Sequence, residues 1–155
     1  MSKSLKRVIR ALSEAGIESA PVEIGQATTA QMAADLVGCA VDQIAKSIIF
    51  RGETTGAALL FITAGGSQVD AARASALADE PLGKADAALI RAQTGFAIGG
   101  VSPVGHLTPP RAFFDPRLLA FDQVWAAAGT PRHVFAAAPA DMMRIAGATV
   151  ADFTN

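Results

Sequence analysis

Residues 44–63 read IAKSIIFRGETTGAALLFIT, and this stretch decides the fold. Two apolar runs, Ile44–Phe50 and Ala57–Thr63, flank the polar, glycine-containing segment Arg51–Gly56. Apolar runs of this length with β-branched residues are typical of strands, and the segment between them has the chemistry of a turn. The stretch therefore predicts a β-hairpin, the clearest such element in the chain.

Helices and shorter strands are predicted on both sides of the hairpin. Helical spacing predicts a first helix with Leu5, Val8, Ile9 and Leu12 on one stripe, a second with Met32 and Leu36 on its apolar face, and three more over residues 68–77, 84–93 and 140–145. Strand patterns cover residues 21–24, 121–126 and 133–137. Because helices and hairpins do not strictly alternate, the pattern indicates an α+β fold with a mixed, largely antiparallel sheet.

Length and composition indicate one soluble domain over residues 1–155. Hydrophobic residues make up 51% of the chain and charged residues 17%. The apolar runs are much shorter than the ~20 residues of a membrane helix. No apolar signal core follows the basic N-terminus, so we expect a cytoplasmic protein with no membrane association.

The net charge of −1 argues against a DNA-binding protein. Duplex binders are usually basic, because contacts to phosphates supply most of their affinity. A net charge of −1 is still compatible with RNA binding through a local basic patch. The polar face of the first helix carries four cations, which form either a solvated face or a patch for a tRNA backbone: Lys3, Lys6, Arg7 and Arg10.

Lys46 interrupts the first strand of the hairpin, where its neighbours are apolar. Burying an ammonium without a partner is costly. Two interpretations remain open. The side chain extends to the surface from the start of the strand, or it points into a pocket, where it would meet an anion or polarise a carbonyl.

A glycine-rich segment over residues 99–105 reads GGVSPVG. Such a loop lets the backbone approach a ligand and can present N–H groups that stabilise an oxyanion. It lacks the Gly-Lys-Ser/Thr ending of a phosphate-binding loop, and Pro103 would break a helix beginning there. A purely structural tight turn is the alternative.

Other reactive side chains form no recognisable catalytic or metal-binding group. The two histidines, His106 and His133, are far apart, and no cluster has the spacing of metal ligands. Ser102 lacks the Gly-x-Ser-x-Gly context of a nucleophile, which favours a hydrogen-bonding role. The single cysteine, Cys39, lies in an apolar stretch without an adjacent base. We therefore predict no metal and no cofactor.

The strand Lys46–Phe50, followed about fifty residues later by TGFAIGGVSPVG over residues 94–105, resembles the YbaK/EbsC family. These proteins are stand-alone aminoacyl-tRNA deacylases, related to the editing domain of bacterial prolyl-tRNA synthetase. The resemblance extends over nearly the whole chain. It implies a curved sheet surrounded by helices and hydrolysis of the ester between a small, wrong amino acid and a tRNA, often that for proline.

The resemblance also implies roles for individual residues. Lys46 matches the essential lysine and would hold the terminal adenosine or its phosphate. The run Gly99–Pro103 matches the glycine-proline loop, in which backbone N–H groups over Gly100 to Ser102 would orient the ester. His133 would help to seat the aminoacyl group, with an ordinary strand-start residue as the alternative. The remaining residues expected to contact substrate or wall the pocket are Ile48, Phe50, Ile98, Val101, Pro103 and Gly105.

The expected partners are the 3′ end of a tRNA carrying a small amino acid and, beyond it, prolyl-tRNA synthetase. A homodimer is compatible with the apolar composition. The main alternative is a non-catalytic module that binds aminoacyl-tRNA or an amino acid. A second alternative is an interaction domain in which the glycine loop is only a turn, and it predicts no pocket at that loop.

Overall fold

The computed structural model describes all 155 residues. Its helices are α1 (Lys3–Glu14), α2 (Ala30–Val37), α3 (Ala71–Ala78), α4 (Ala87–Thr94) and α5 (Pro139–Ala146). Its strands are β1 (Val22–Glu23), β2 (Ile44–Gly52), β3 (Ala58–Ala64), β4 (Leu82–Lys84), β5 (Arg111–Phe114), β6 (Val124–Ala127), β7 (His133–Ala137) and β8 (Ala148–Val150). Short 3₁₀ turns precede β2 and β6.

The eight strands form one mixed sheet in the order β1-β7-β6-β2-β3-β5-β8, with β4 paired to the end of β2. The pairings β1–β7, β2–β3, β2–β4 and β6–β7 are antiparallel, and β2–β6, β3–β5 and β5–β8 are parallel. The predicted α+β fold with a mixed, largely antiparallel sheet is confirmed.

The predicted hairpin is the centre of this sheet. β2 and β3 pair antiparallel over seven residue pairs, with Lys46 opposite Thr63. Every residue of β3 is buried, because helices cover both faces of the strand and β5 covers its second edge. A strand buried on both faces reads as a continuous apolar run rather than an alternating one.

Side chains of β2 divide among three apolar clusters. Ala45 and Ile49 face the main cluster, which contains 18 buried residues and includes the inner face of α1. Ile48 packs on a second cluster beside α3, and Ile44 on a third beside α2. Because side chains alternate along a strand, Lys46 lies on the same face as Ile44 and Ile48, between the second and third clusters.

Local capping explains where the first helices begin and end. The Ser2 hydroxyl accepts a hydrogen bond from the Leu5 N–H, and the Thr29 hydroxyl accepts one from the Met32 N–H. Gly38 ends α2 in the left-handed conformation. Ser2 and Thr29 are thus the N-caps of α1 and α2, and Gly38 is the C-cap of α2. The longest helix has 12 residues, and none is long and apolar enough to cross a bilayer.

Three parts of the predicted fold are wrong. Lys84 belongs to β4 rather than to a helix, because residues 82–84 pair with the end of β2 and Asp86 caps the helix that follows. Strands β5 and β8 were not predicted. Met32 and Leu36 are exposed, because α2 turns the smaller Ala33 and Ala34 toward the sheet, and Ile9 is exposed on α1, which buries Leu5, Val8 and Leu12.

Phe61 should be the most sensitive side chain of the second cluster. It is fully buried, and its ring lies 5.1 Å from those of Phe113 and Phe153 and 5.7 Å from that of Phe50. We expect Phe61→Ala to lower the free energy of unfolding by about 3–5 kcal/mol, because it removes the transfer energy and leaves a cavity. Urea denaturation would measure this. Leu36→Ala, at an exposed site, is the control, and an equal loss in both variants would contradict the assignment.

Candidate functional site

A cleft opens where β2 and β6 separate. The two strands pair only at Ile44 and Ala45, opposite Trp125 and Ala126. Beyond that point β2 has no neighbour on this side until β4 begins to pair at Phe50. The opening has a volume of about 480 Å³, which is within the range of small-molecule sites.

The exposed stretch of β2 offers backbone groups to the cleft. Residues 46–49 pair with β3 alone. In an antiparallel pair, the N–H and C=O groups of alternate residues point away from the partner strand. The groups that point away over this stretch have no partner strand to bind, so one edge of the cleft is a short row of free hydrogen-bonding groups.

Lys46 lines the cleft, and a hydrogen bond to the protein backbone holds its ammonium group. Its Nζ donates a hydrogen bond of 2.7 Å to the carbonyl oxygen of Ser67, in the turn after β3. Burial lowers the pKa of the Lys46 ammonium, and the nearby carboxylates of Asp115 and Asp42 act in the opposite direction. The ammonium is therefore partly desolvated but sits in a negative local field, and it does not extend freely into solvent.

These two carboxylates are themselves fixed by the turn that binds Lys46. Asp42 accepts hydrogen bonds from the Gly66 N–H at 2.8 Å and from Arg117 Nε at 3.0 Å. Asp115, which is buried, accepts from the N–H groups of Ala64 and Arg117. Lys46 is thus held by one hydrogen bond, to a turn that is itself fixed by a hydrogen-bonded network.

The glycine loop forms the second wall of the cleft. Ile98, Gly99 and Val101 line it. The N–H groups of Gly99 and Val101 make no hydrogen bond within the protein, whereas the Gly100 N–H donates to the Ala97 carbonyl at 3.0 Å. Of the N–H groups expected to orient the ester, that of Gly100 is therefore occupied, whereas that of Val101 is free, as are those of Gly99 and Ile98 at the same wall.

Gly100 is required for a different reason. A Cβ atom there would lie 2.9 Å from the Cα of Thr130, in the turn between β6 and β7. Only a residue without a side chain allows the loop and this turn to touch. The contact joins the two loops that border the same end of the cleft.

Four residues expected at the substrate lie outside the cleft lining. Ser102 is fully buried, and its hydroxyl accepts a hydrogen bond from the Val104 N–H. Pro103 is buried beside it, and Gly105 lies against α1. Phe50 faces the second apolar cluster. In this structure these four support the loop or the core and do not line the cleft, whereas Ile48 does.

His133 reaches the cleft from the start of β7. Its Nδ1 lies 2.7 Å from the hydroxyl of Thr130, and its Nε2 is 3.8 Å from a carboxylate oxygen of Glu23. The Thr130 hydroxyl also accepts a hydrogen bond from the Arg132 N–H. The imidazole is thus oriented by the same turn that contacts Gly100.

The cleft contains few groups for chemistry. Among its 22 lining residues, 13 are hydrophobic, and Lys46 and His133 are the only two with ionisable side chains. No carboxylate, cysteine or metal-binding cluster lines it. Such a site can bind an anion, accept a carbonyl oxygen on free N–H groups and enclose a small apolar group.

Sequence reasoning missed two residues of the site. Trp125 lines the cleft from β6, beside Ile44, and Thr130 orients His133. The segment before α2, residues 26–29, also lines it. The sequence TPRH over 130–133 hints at an oriented histidine, but no local pattern indicates Trp125, whose place depends on the parallel β2–β6 pairing.

The comparisons with known proteins agree with this architecture. The model of the aminoacyl-tRNA editing domain matches residues 25–145. Since the match includes Lys46, the glycine loop and His133, the chain belongs to the aminoacyl-tRNA editing domain family. The resemblance predicted from the sequence is confirmed, and editing of mischarged tRNA is the class of activity that it supports.

Individual relatives cover most of the chain. A solved structure described as a candidate trans-editing enzyme for prolyl-tRNA synthetase is 44% identical, with a TM-score of 0.92 over 100% of this chain and 99% of that one. The hypothetical protein APE2540, 23% identical, shares the fold with a TM-score of 0.87 over 96% of this chain and 99% of its own. The uncharacterized protein YwhH of Bacillus subtilis (strain 168) is 29% identical over 114 residues, 74% of this chain and 72% of the relative.

His106 should make stability depend on pH. It lies beneath the glycine loop, with Nε2 bound to the Ser102 carbonyl, Nδ1 buried without a partner and Phe96 packed on its ring. Burial lowers its pKa, and the charge of Arg7 on α1 lowers it further. As the pH falls below about 6.5, the unfolded chain takes up a proton that the folded protein resists. The free energy of unfolding should therefore decrease below that pH and be unaffected by this group above it.

Urea denaturation of the wild type and His106→Gln at pH 5 and pH 7.5 tests this effect. The amide of Gln can still donate to the Ser102 carbonyl but does not titrate. We expect the variant to lose less stability than the wild type between the two pH values. Parallel losses would show that other groups cause the pH dependence.

Proposed function

We propose that this protein hydrolyses, in trans, the ester that joins a small, wrongly attached amino acid to the tRNA for proline. The observation that carries the proposal is the composition of the cleft. Lys46 and His133 are its only ionisable lining side chains, and the free N–H groups of Gly99 and Val101 lie at its second wall. This combination suits a polyanionic end that bears an uncharged ester and a small side chain.

Lys46 would bind the terminal nucleotide of the tRNA. Its ammonium is held at the cleft by one carbonyl, that of Ser67, and a phosphate oxygen is a stronger, charged acceptor. Partial desolvation strengthens such an interaction, because the local dielectric is lower than in water. The anion would therefore be fixed beside the free edge of β2.

The ester carbonyl would bind at the glycine loop. When water attacks the carbonyl carbon, negative charge develops on the carbonyl oxygen, and the N–H groups of Gly99 and Val101 would stabilise it. The carbon–oxygen bond to the ribose then breaks, which releases the free amino acid and the ribose hydroxyl. The buried Ser102 hydroxyl has no access to the ester, which favours direct attack by water.

His133 would contact the aminoacyl group. Its imidazole is fixed through Nδ1 by Thr130, which leaves Nε2, 3.8 Å from a carboxylate oxygen of Glu23, without a hydrogen bond. No carboxylate lines the cleft to act as a general base. Proton removal from the water would therefore fall to His133 or to the substrate's own ribose hydroxyl.

Selectivity would come from the apolar walls. Ile48, Ile98 and Val101 narrow the space next to Lys46 and the glycine loop. A difference of one methylene is worth about 1–3 kcal/mol in such a pocket, which is too little for accurate charging in one step. A separate editing site that admits the smaller amino acid and excludes proline supplies the second step, and this links the protein to prolyl-tRNA synthetase.

Hydrolysis of charged tRNA tests the proposal. Wild type, Lys46→Ala and the control Lys84→Ala would be given tRNA for proline charged with alanine, cysteine, serine or proline. Lys84 is exposed and forms no ion pair or side-chain hydrogen bond. We expect one small aminoacyl ester to be hydrolysed and prolyl-tRNA to be spared, with activity lost in Lys46→Ala and retained in Lys84→Ala.

Binding is followed separately in the same samples. Trp125 is the only tryptophan, and the chain has no tyrosine, so intrinsic fluorescence reports on the cleft itself. A fluorescence change on adding the charged tRNA, without hydrolysis of any ester in the panel, would favour the non-catalytic binding module instead.

A Gly100→Ala substitution tests the contact between the two loops. The added methyl group would meet the Thr130 backbone at 2.9 Å and push the glycine loop away from the turn that orients His133. We expect kcat/KM for deacylation to fall by about tenfold or more, as expected for misplaced reacting groups. Gly56→Ala, at a distant turn with open space around it, is the control, although its positive φ costs some stability. Equal activity in both variants would contradict a role for the contact.

A further inference from the structure

Arg7 on α1 binds both ends of residues 95–105, which are called the glycine loop from here on because they contain the glycine-rich segment and the residues leading into it. Its Nε donates to the Gly105 carbonyl at 3.1 Å, and its Nη2 donates to the Gly95 carbonyl at 2.9 Å. The segment between these two carbonyls contains Ile98, Gly99 and Val101, which line the cleft. One side chain therefore closes the base of the loop that forms the second wall.

The fit between α1 and the ends of the loop is close. A Cβ at Gly95 would lie 2.4 Å from Arg7 Nη2, and one at Gly105 would lie 3.3 Å from the Arg7 backbone. Both glycines have φ near +80°, where a side chain would also be strained. The guanidinium stacks on the ring of Phe96, 4.9 Å from its centre, and this ring is fully buried.

The charge of Arg7 is not used in an ion pair. None of the salt bridges of the protein includes it. Burial and the charge of Arg91 lower its pKa, so the protein stabilises this cation only through carbonyl oxygens and the aromatic ring. Gly95 caps the C-terminus of α4, the negative end of that helix dipole. Of the two alternatives for the cations of α1, a solvated face fits Lys3, Lys6 and Arg10, which are exposed, but not Arg7, which is half-buried and bound to the loop.

The same helix also supports the turn between β6 and β7, which touches the glycine loop. The backbone carbonyl of Ser4 lies against Gly129, where a Cβ would come within 2.8 Å of it. Gly129 precedes Thr130, which touches Gly100 and orients His133. Helix α1 thus lies behind both loops that border the cleft, although none of its residues lines the cleft.

We propose that Arg7 is a positioning residue for ester hydrolysis: it fixes the two ends of the glycine loop and so aligns the free N–H groups of Gly99 and Val101. This inference rests on the proposed function. A glycine-rich segment samples many backbone conformations, and donors to a transition state act only when they are held in place beforehand. Binding both ends of the loop to a rigid helix removes that freedom without obstructing the cleft.

The test compares Arg7→Ala and Arg7→Lys with Arg10→Ala. Arg10 is an exposed cation on the same helix with no side-chain hydrogen bond or ion pair. Amide hydrogen exchange of the full-length protein, followed by mass spectrometry, reports on residues 95–105 without any substrate. We expect faster exchange in this segment alone for Arg7→Ala, a smaller increase for Arg7→Lys, which can satisfy one carbonyl, and none for Arg10→Ala.

Kinetics on the aminoacyl-tRNA identified in the deacylation panel give the second readout. For Arg7→Ala we expect kcat to fall by about 10- to 100-fold, as for a small displacement of reacting groups, with little change in KM. Millimolar guanidinium, far below denaturing concentrations, should restore part of kcat in Arg7→Ala and none in Lys46→Ala. A purely structural role would lower the folded fraction but would not give this rescue.

Two results would overturn the proposal. One is loop exchange and kcat in Arg7→Ala equal to those of Arg10→Ala. The other is faster exchange spread evenly over the chain, which would indicate general destabilisation. If Arg7→Ala does not fold, amide hydrogen exchange and kcat are compared between Arg7→Lys and Arg10→Ala instead. Absence of hydrolysis by the wild type would refute the proposed function, and the exchange data would still show whether Arg7 holds the loop.

Discussion

The early separation of β2 from β6 is the constraint on which the site depends. Two residue pairs join these parallel strands, and then β6 ends while β2 continues along β3. Continued pairing would satisfy the backbone groups of residues 46–49 and fill the space that is now the cleft. Unpaired strand edges are usually a liability. This one is short and bordered by two loops, so it is reachable by a small group but not by another strand.

Much of the fold is encoded locally, and the exceptions depend on distant partners. The hairpin, the Thr29 cap and the Gly38 stop can be predicted because each depends on residues close in sequence. Strand β5 could not, because four residues after Pro109 and Pro110 become a strand only through parallel pairing with β3 on one side and β8 on the other. Lys84 is similar, since its helix-like context is overridden by pairing with β2.

The residues of the site also divide into those that local sequence indicates and those that depend on distant partners. Lys46 and the glycine loop stand out in the sequence because a cation in an apolar strand and a glycine-rich run are locally unusual. Which loop residues face the cleft is decided by tertiary contacts, so Ser102 lies beneath the loop while Val101 lines the wall. Arg7 has no local feature that distinguishes it from Arg10. Only the placement of α1 against the loop separates the two.

The complete burial of β3 has a consequence for biosynthesis. Its second edge is covered by β5, which leaves the ribosome only after α3, β4 and α4 have been made. During that interval the nascent hairpin presents an uncovered apolar edge strand, the kind of surface through which chains aggregate. Slow translation between Ala64 and Arg111 would prolong this exposure. We therefore expect codon choice in that segment to affect soluble yield independently of the stability of the finished sheet.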